Sequence, residues 1–251
     1  MVRPVLLVVA HGSRDPRHAA TVHALTQRVR AARPSLRVAT AYLDFNAPSV
    51  PQVIDRLAAE GVREVVALPL LLTRAFHAKA DIPAVLREAT AGHPRLSVRQ
   101  TEVLGPSPLL TAALERRLYE AGVRPGDRPS TGIVLASAGS TDPEAMAVIA
   151  DIARAWRHTG WCAVRPAFAS ASLPRTEDAV RQLRAEGVDR VVVAPYVIAP
   201  GFLPDRIARG AQDAGADVLA AVLGDAPELA RLLLRRYDES CVVRRFATLS
   251  A

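Results

Sequence analysis

The feature that most constrains this chain is that it runs through the same pattern twice. Residues 132–143 (GIVLASAGSTDP) repeat the opening stretch of residues 5–16 (VLLVVAHGSRDP). Gly139 falls on Gly12, Ser140 on Ser13, Asp142 on Asp15 and Pro143 on Pro16. Further on, Ala185-Glu186-Gly187-Val188 repeats Ala59-Glu60-Gly61-Val62, and Pro195 falls on Pro69, at a separation so constant that almost no gap is needed. The chain is therefore read as two homologous halves facing each other, a common way to form a cleft.

Each half opens on a strand. The unbroken run from Val5 to Ala10, closed by a Gly turn, has the character of a strand buried on both faces. In an open parallel sheet the ligand crevice lies beyond the carboxyl ends of the strands, which is where His11 stands. Asp15-Pro16 then starts a helix with its apolar spacing over 19–32, which Pro34 ends. A strand over 36–43 runs into Asp44-Phe45-Asn46-Ala47-Pro48-Ser49. A helix over 50–60 is closed by Gly61. The strand over 64–72 contains Pro69, which implies an irregular, exposed or bulged end. After the loop Thr73 to His77, helices over 80–91 and 108–121 flank a strand over 96–101. Strands alternating with helices through short connections give an α/β fold, two doubly wound parallel-sheet domains with a cleft between them. The polar stretch 122–131 is read as the linker. That sets the domains at 1–124 and 130–240, with 241–251 as a tail.

Composition fits this frame. Half of the 251 residues are hydrophobic and only 4% aromatic, so the core must be built from Ala, Val and Leu. The net charge of +7 is carried mainly by Arg, whose forked donors suit carboxylate or phosphate. The cations are spread along the chain without interleaved aromatics, which argues against a nucleic-acid partner. A GC-rich genome supplying Arg at ordinary surface positions accounts for the charge equally well. Cys162 and Cys241 form no metal-type cluster, as in a reduced cytosolic protein. The first apolar run is too short for a signal peptide or a membrane span, so a soluble cytoplasmic protein with no membrane partner is expected. Two fused halves remove the need for a dimer, and a monomer is sufficient.

The repeat also separates frame from chemistry. The turn-forming Gly, Ser, Asp and Pro recur, but Ala138 stands for His11, Leu203 for His77, Thr141 for Arg14, Pro200 for Arg74 and Ser170 for Asp44. The ionisable set belongs to the first half alone. His11 and His77 follow the first and third strands, which are near neighbours in a doubly wound sheet, so their imidazoles can meet across one crevice. Two histidines with open positions suit Fe²⁺, Co²⁺, Ni²⁺ or Zn²⁺. Alternatively one serves as a proton acceptor near neutral pH. Arg14, Arg74 and Lys79 are candidates to grip acidic groups on a ligand. Ser13, with the Gly12 N–H at a helix start, can hold an anion, although its recurrence fits a structural turn equally well. Asp44 is a third metal ligand, a group that orients a histidine, or the cap of the next helix. His18 and His23 within the first helix, and His93 and His158 near helix ends, read as surface or capping residues.

Three segments together resemble a known family. They are Ala10-His11-Gly12-Ser13-Arg14, the stretch Tyr42-Leu43-Asp44 with Pro48-Ser49, and Leu68-Pro69-Leu70-Leu71-Leu72 with His77 and Asp81-Ile82-Pro83. In this order they resemble the sirohydrochlorin chelatases, which comprise cobaltochelatases of cobalamin synthesis and ferrochelatases of sirohaem synthesis and are related to the type II chelatases. The resemblance covers nearly the whole chain, because longer members carry two such domains with one set of histidines. It implies a lyase that inserts Fe²⁺ or Co²⁺, with Ni²⁺ also admitted, into sirohydrochlorin. The metal is then a substrate, the tetrapyrrole is the small-molecule partner, and no organic cofactor is expected. His11 and His77 match the family's metal-binding, catalytic histidines, and Asp44 falls where many members have an acidic residue. Thr73-Arg74-Ala75-Phe76 departs from the Ser-Thr-Gly-Tyr that members often place before the second histidine. Two other readings stay open. One is a carrier that holds a tetrapyrrole or metal without turnover. The other is a histidine phosphatase, which normally has Arg where this chain has Ala10.

Overall fold

The computed structural model describes residues 3–74 and 77–247, without the side chains of 77, 78 and 243–247. Its residues group into two compact units, one of residues up to Gly105 together with those from Pro227 onward, the other Pro106–Ala226.

The first unit holds a parallel sheet of β1 (Val5–Ala10), β2 (Val38–Tyr42), β3 (Glu64–Pro69) and β4 (Ser97–Gln100), in the order β2-β1-β3-β4. All six β1 residues are buried, as a central strand covered on both faces requires. Val5, Leu7 and Val9 pack with α2 (Val50–Ala59) and α3 (Ile82–Thr90). Leu6 and Val8 point the other way and are equally buried. The remaining helices of this unit, α1 (Pro16–Ala32) and α8 (Pro227–Ala247), pack on each other and on β2 and β3. Each fully buried Leu or Val in such a layer contributes about 2 kcal/mol. Pro69 is the buried last residue of β3, not an exposed or bulged one. Leu70 donates to the Val9 carbonyl on the β1 side, so the ring nitrogen of Pro69 faces the β4 side. Thr101 N still donates to Ala67 O at 2.9 Å, so Pro69, which has no N–H to offer β4, stands where the next rung would fall and ends the ladder.

The second unit repeats the plan with β5 (Thr131–Ser137), β6 (Ala163–Phe168), β7 (Arg190–Tyr196) and β8 (Val218–Leu219), ordered β6-β5-β7-β8. Its helices are α4 (Pro108–Glu120), α5 (Pro143–Arg157), α6 (Thr176–Ala185) and α7 (Phe202–Asp213). The repeated Asp-Pro does the same work in both: Asp15 accepts from Arg17 N at 2.9 Å and Asp142 from Glu144 N at 2.9 Å, each capping a helix with Pro in its first turn.

The compact units are not identical with the two halves of the repeat. The stretch 122–131 is a 3₁₀ turn, Pro125–Ser130, that leads straight into β5. The chain passes into the second unit already before α4, which packs on β7 and ties to α5 through Glu115, acceptor of Trp156 Nε1 at 3.0 Å. The segment read as a tail from 241 continues α8 to Ala247, and residues 248–251 lie outside the described set. Thus α4 and α8 are matching helices, each completing a unit other than the one its sequence half begins. Arg117 of α4 donates to the Leu223 carbonyl at 2.9 Å and to Glu120 at 2.7 Å. Arg236 of α8 donates to the carbonyls of Val103 and Leu104 at 3.0 and 3.3 Å and to Glu239 at 3.0 Å. Both helices therefore carry the same anchor, while the sequence halves 1–124 and 130–240 remain the units of the repeat. Among the described residues no helix is long and apolar enough to cross a membrane.

Candidate active site

His11 is the first residue past β1, and the β1–β2 ladder carries on beyond the strand ends to hold it. Leu43 N donates to Ala10 O at 3.0 Å and Asp44 N to His11 O at 2.9 Å. Gly12 follows with φ +96°. A Cβ there would lie 1.9 Å from the Asp44 carbonyl oxygen, so only glycine lets the two segments meet. The second unit has the same approach at Gly139 (φ +91°), 1.9 Å from Ser170 O, and the same bond from Ser170 N to Ala138 O at 3.0 Å. The glycine therefore serves the frame, and the half-buried imidazole of His11 is what the first unit adds to it.

Ser13 belongs to the frame as well. Its N–H donates to Oδ1 of Asn46 at 2.8 Å, and its hydroxyl accepts from Asp15 N at 3.1 Å. The same hydroxyl bond recurs at Ser140 and Asp142 at 3.0 Å. An anion at the Ser13 N–H would have to displace Asn46, so the turn reading of Ser13 has the better support. Asp44 is exposed, and its main chain closes the loop: Asn46 N donates to Asp44 O at 2.7 Å. It does not cap α2. That is done by Ser49, in a capping box with Gln52.

Two side chains with no role assigned from the sequence, Phe45 and Asn46, join the turn that carries His11. Phe45 is 59% exposed, with its ring centroid 6.4 Å from that of His11. The Arg14 guanidinium lies over the Phe45 ring at 5.2 Å. Asn46 holds the turn, as described. His18, the third residue of α1, is no surface residue. Its Nδ1 is buried with no hydrogen-bond partner among the described residues, and its ring lies 6.5 Å from that of Tyr42. Burial first, and then the nearby charge of His11, hold its pKa below the ordinary 6.5, with Asp15 opposing. The corresponding third residue of α5 is Ala145, so His18 is one more ionisable group that the second half lacks.

The remaining candidates lie after β3. His77 opens a π-helical turn, His77–Asp81, that runs into α3, and its side chain, like residues 75 and 76, lies outside the described set. Such wide turns recur at functional sites. Arg74, Lys79 and Arg87 line a cleft of about 530 Å³ with Thr90, Gln100 and Thr101, between α3 and the end of β4. Arg74 reaches Glu102 only at 4.0 Å, with both side chains about two-thirds exposed, so this pair contributes little to stability. At the separation that sets Pro195 on Pro69, Lys79 falls on Asp205 and Arg87 on Asp213, so the second half carries carboxylates where the first carries cations. The structure thus gathers His11, Arg14, Phe45 and His18 at the end of β1, and Arg74, Lys79 and Arg87 beyond β3, on hydrogen-bonded neighbour strands. Among the described residues no three His, Cys, Asp or Glu side chains form a metal cluster.

Comparison with known proteins decides the family, since the CbiX family model matches residues 5–121 and again 132–240. The chain belongs to the CbiX family. Its CbiX-family relatives include the sirohydrochlorin cobaltochelatase of Priestia megaterium, 29% identical over 244 residues that cover 93% of this chain and 79% of the relative. The sirohydrochlorin ferrochelatase of Bacillus subtilis is 23% identical over 95% of this chain and 92% of its own length. Among solved structures, SirB from Bacillus subtilis with Fe³⁺ shares the fold at a TM-score of 0.83, with 23% identity, over 94% of this chain and 95% of that one. The CbiX-family match falls on both halves of the repeat, in agreement with two parallel-sheet units of the same topology.

Proposed function

We propose that this protein is a sirohydrochlorin chelatase, a lyase that inserts Co²⁺ or Fe²⁺ into the macrocycle, with His11 and His77 as the residues that deliver the metal. The observation that carries the reading is the CbiX-family match over both halves, combined with a histidine-bearing site in one half only. The relatives named as sirohydrochlorin cobaltochelatase and ferrochelatase support both metals.

Insertion replaces two pyrrolic protons by one divalent ion, so the site must strip water from the metal, accept protons and keep the ring bent. Neutral imidazoles suit the first two tasks, because they bind borderline metals and take up protons near neutral pH. Asp44, exposed on the loop after β2 with its N–H bonded to the His11 carbonyl at 2.9 Å, is proposed as a third group for the metal. Binding energy from the peripheral carboxylates of the macrocycle can hold it distorted. Arg14, Arg74 and Lys79, with Arg87 in the same cleft as the last two, are the cations proposed to take them. A cytoplasmic monomer agrees with the two fused repeats.

The test is anaerobic mixing of protein, sirohydrochlorin and Co²⁺ or Fe²⁺, followed by absorbance. Turnover above the uncatalysed rate is expected, and its loss in His11→Ala and His77→Ala. Stoichiometric binding without turnover would mark a carrier instead, and unchanged rates in both variants would overturn the site.

A further inference from the structure

The loop after β2 adopts one backbone in both units. Phe45 has φ +61° and its counterpart Ala171 φ +60°. Asn46 N donates to Asp44 O at 2.7 Å and Ser172 N to Ser170 O at 2.6 Å, while Tyr42 N donates to Pro48 O at 3.0 Å and Phe168 N to Pro174 O at 2.9 Å. The left-handed residue is thus a demand of the fold, and alanine meets it in the second unit. A bulky side chain in this region is a conformational outlier with a cost. At 59% exposure, Phe45 does not recover that cost by burial.

What Phe45 does touch is the set of residues confined to the first unit. Its ring stands 6.4 Å from that of His11, tilted by 32°, and bears the Arg14 guanidinium at 5.2 Å. In the second unit these three positions hold Ala171, Ala138 and Thr141. The aromatic ring therefore comes and goes with the imidazole and the cation.

We infer that Phe45 and Arg14 form a substrate-binding surface beside His11, with Phe45 taking the flat face of the macrocycle and Arg14 one of its carboxylates. This rests on the chelatase reading. An aromatic ring offers a planar, apolar contact with little rotamer entropy to lose, and the cation–π contact holds Arg14 close beside it. The strain kept at Phe45 is then explained by binding, not by folding.

Phe45→Ala is a safe variant because Ala171 already occupies the same backbone. Binding of metal-free sirohydrochlorin, measured by absorbance titration, should weaken about five- to tenfold, as loss of one aromatic contact and its area predicts. Tyr at this position should restore it. Isothermal titration with Co²⁺ alone should give the same affinity in wild type and Phe45→Ala, and the melting temperature should not fall. Equal sirohydrochlorin affinity in Phe45→Ala and wild type would overturn the inference while leaving the chelatase reading intact. So would a weakening that Tyr does not reverse and that tracks a lower melting temperature. If wild type binds no sirohydrochlorin, the chelatase reading and this inference fall together.

Discussion

The N–H of Ser13 donates to Oδ1 of Asn46 at 2.8 Å, which fastens the turn carrying His11 to the loop after β2. In the second unit the loop is fastened with the polarity reversed, Ser172 Oγ donating to Ser140 O at 2.6 Å. Asn46→Ala leaves a part-buried N–H without its acceptor and should cost about 1–2 kcal/mol. It should also lower kcat/KM, because the His11 turn loses its restraint. Asn46→Asp keeps an acceptor and should stay close to wild type in both. Thermal melting and insertion rates of the pair decide this, and an Asp variant as impaired as the Ala variant would exclude a simple acceptor role.

Gly12→Ala and Gly139→Ala should be comparably destabilising, each by about 3 kcal/mol or more, since each puts a methyl against a carbonyl oxygen at positive φ. Gly139 has no histidine beside it, so its variant isolates the folding cost from any catalytic effect. Equal melting temperatures for Gly139→Ala and wild type would show that the close approach is not needed.

His18 sets a pH dependence. Its pKa in the folded chain lies below the ordinary 6.5, chiefly through burial. As pH falls past 6.5, the unfolded chain takes up this proton more readily than the folded one, and the stability due to neutral His18 is progressively lost. The loss ends once pH has dropped below the folded value. His18→Gln should flatten this part of the melting-temperature profile, and an identical slope would assign the acid sensitivity to other groups.

Arg87→Asp places in the first unit the residue that the second carries at Asp213. With the cleft beyond β3 taking a substrate carboxylate, KM for sirohydrochlorin should rise about tenfold with kcat nearly unchanged, as for loss of uniform binding. The side chain is exposed, so melting should hardly move. Unchanged KM would remove the cleft from the substrate site.

Much of the fold was legible because it rests on local chemistry. The Val/Leu run of β1, the Asp-Pro caps of α1 and α5 and the repeated Gly-Ser turn each specify their structure within a few residues. The partners of His11 were not legible in the same way. Asn46 and Phe45 lie some 30 residues away on the neighbouring strand's loop, and only the β1–β2 register brings them to the turn. His18 reads as a helix-surface residue until the strand beside it is known to bury that face. In the repeat His18 stands against Ala145 and Phe45 against Ala171, so both differences are present in the sequence. The spatial grouping of α4 and α8 was hidden for a different reason, since the two helices match in sequence and each lies in the compact unit that its own half does not begin.

That interchange gives the molecule an order of assembly. Chains are made from the N-terminus, and domains fold as they emerge. The sheet that bears His11 emerges first, yet the helix that covers β3, α8, begins only at Pro227, after the whole second unit has been synthesised. The apolar surface of β3 that α8 covers stays exposed during that interval, so translation speed and chaperone supply should bear on the yield of folded protein. The unit that bears His11 begins before the other and is completed after it.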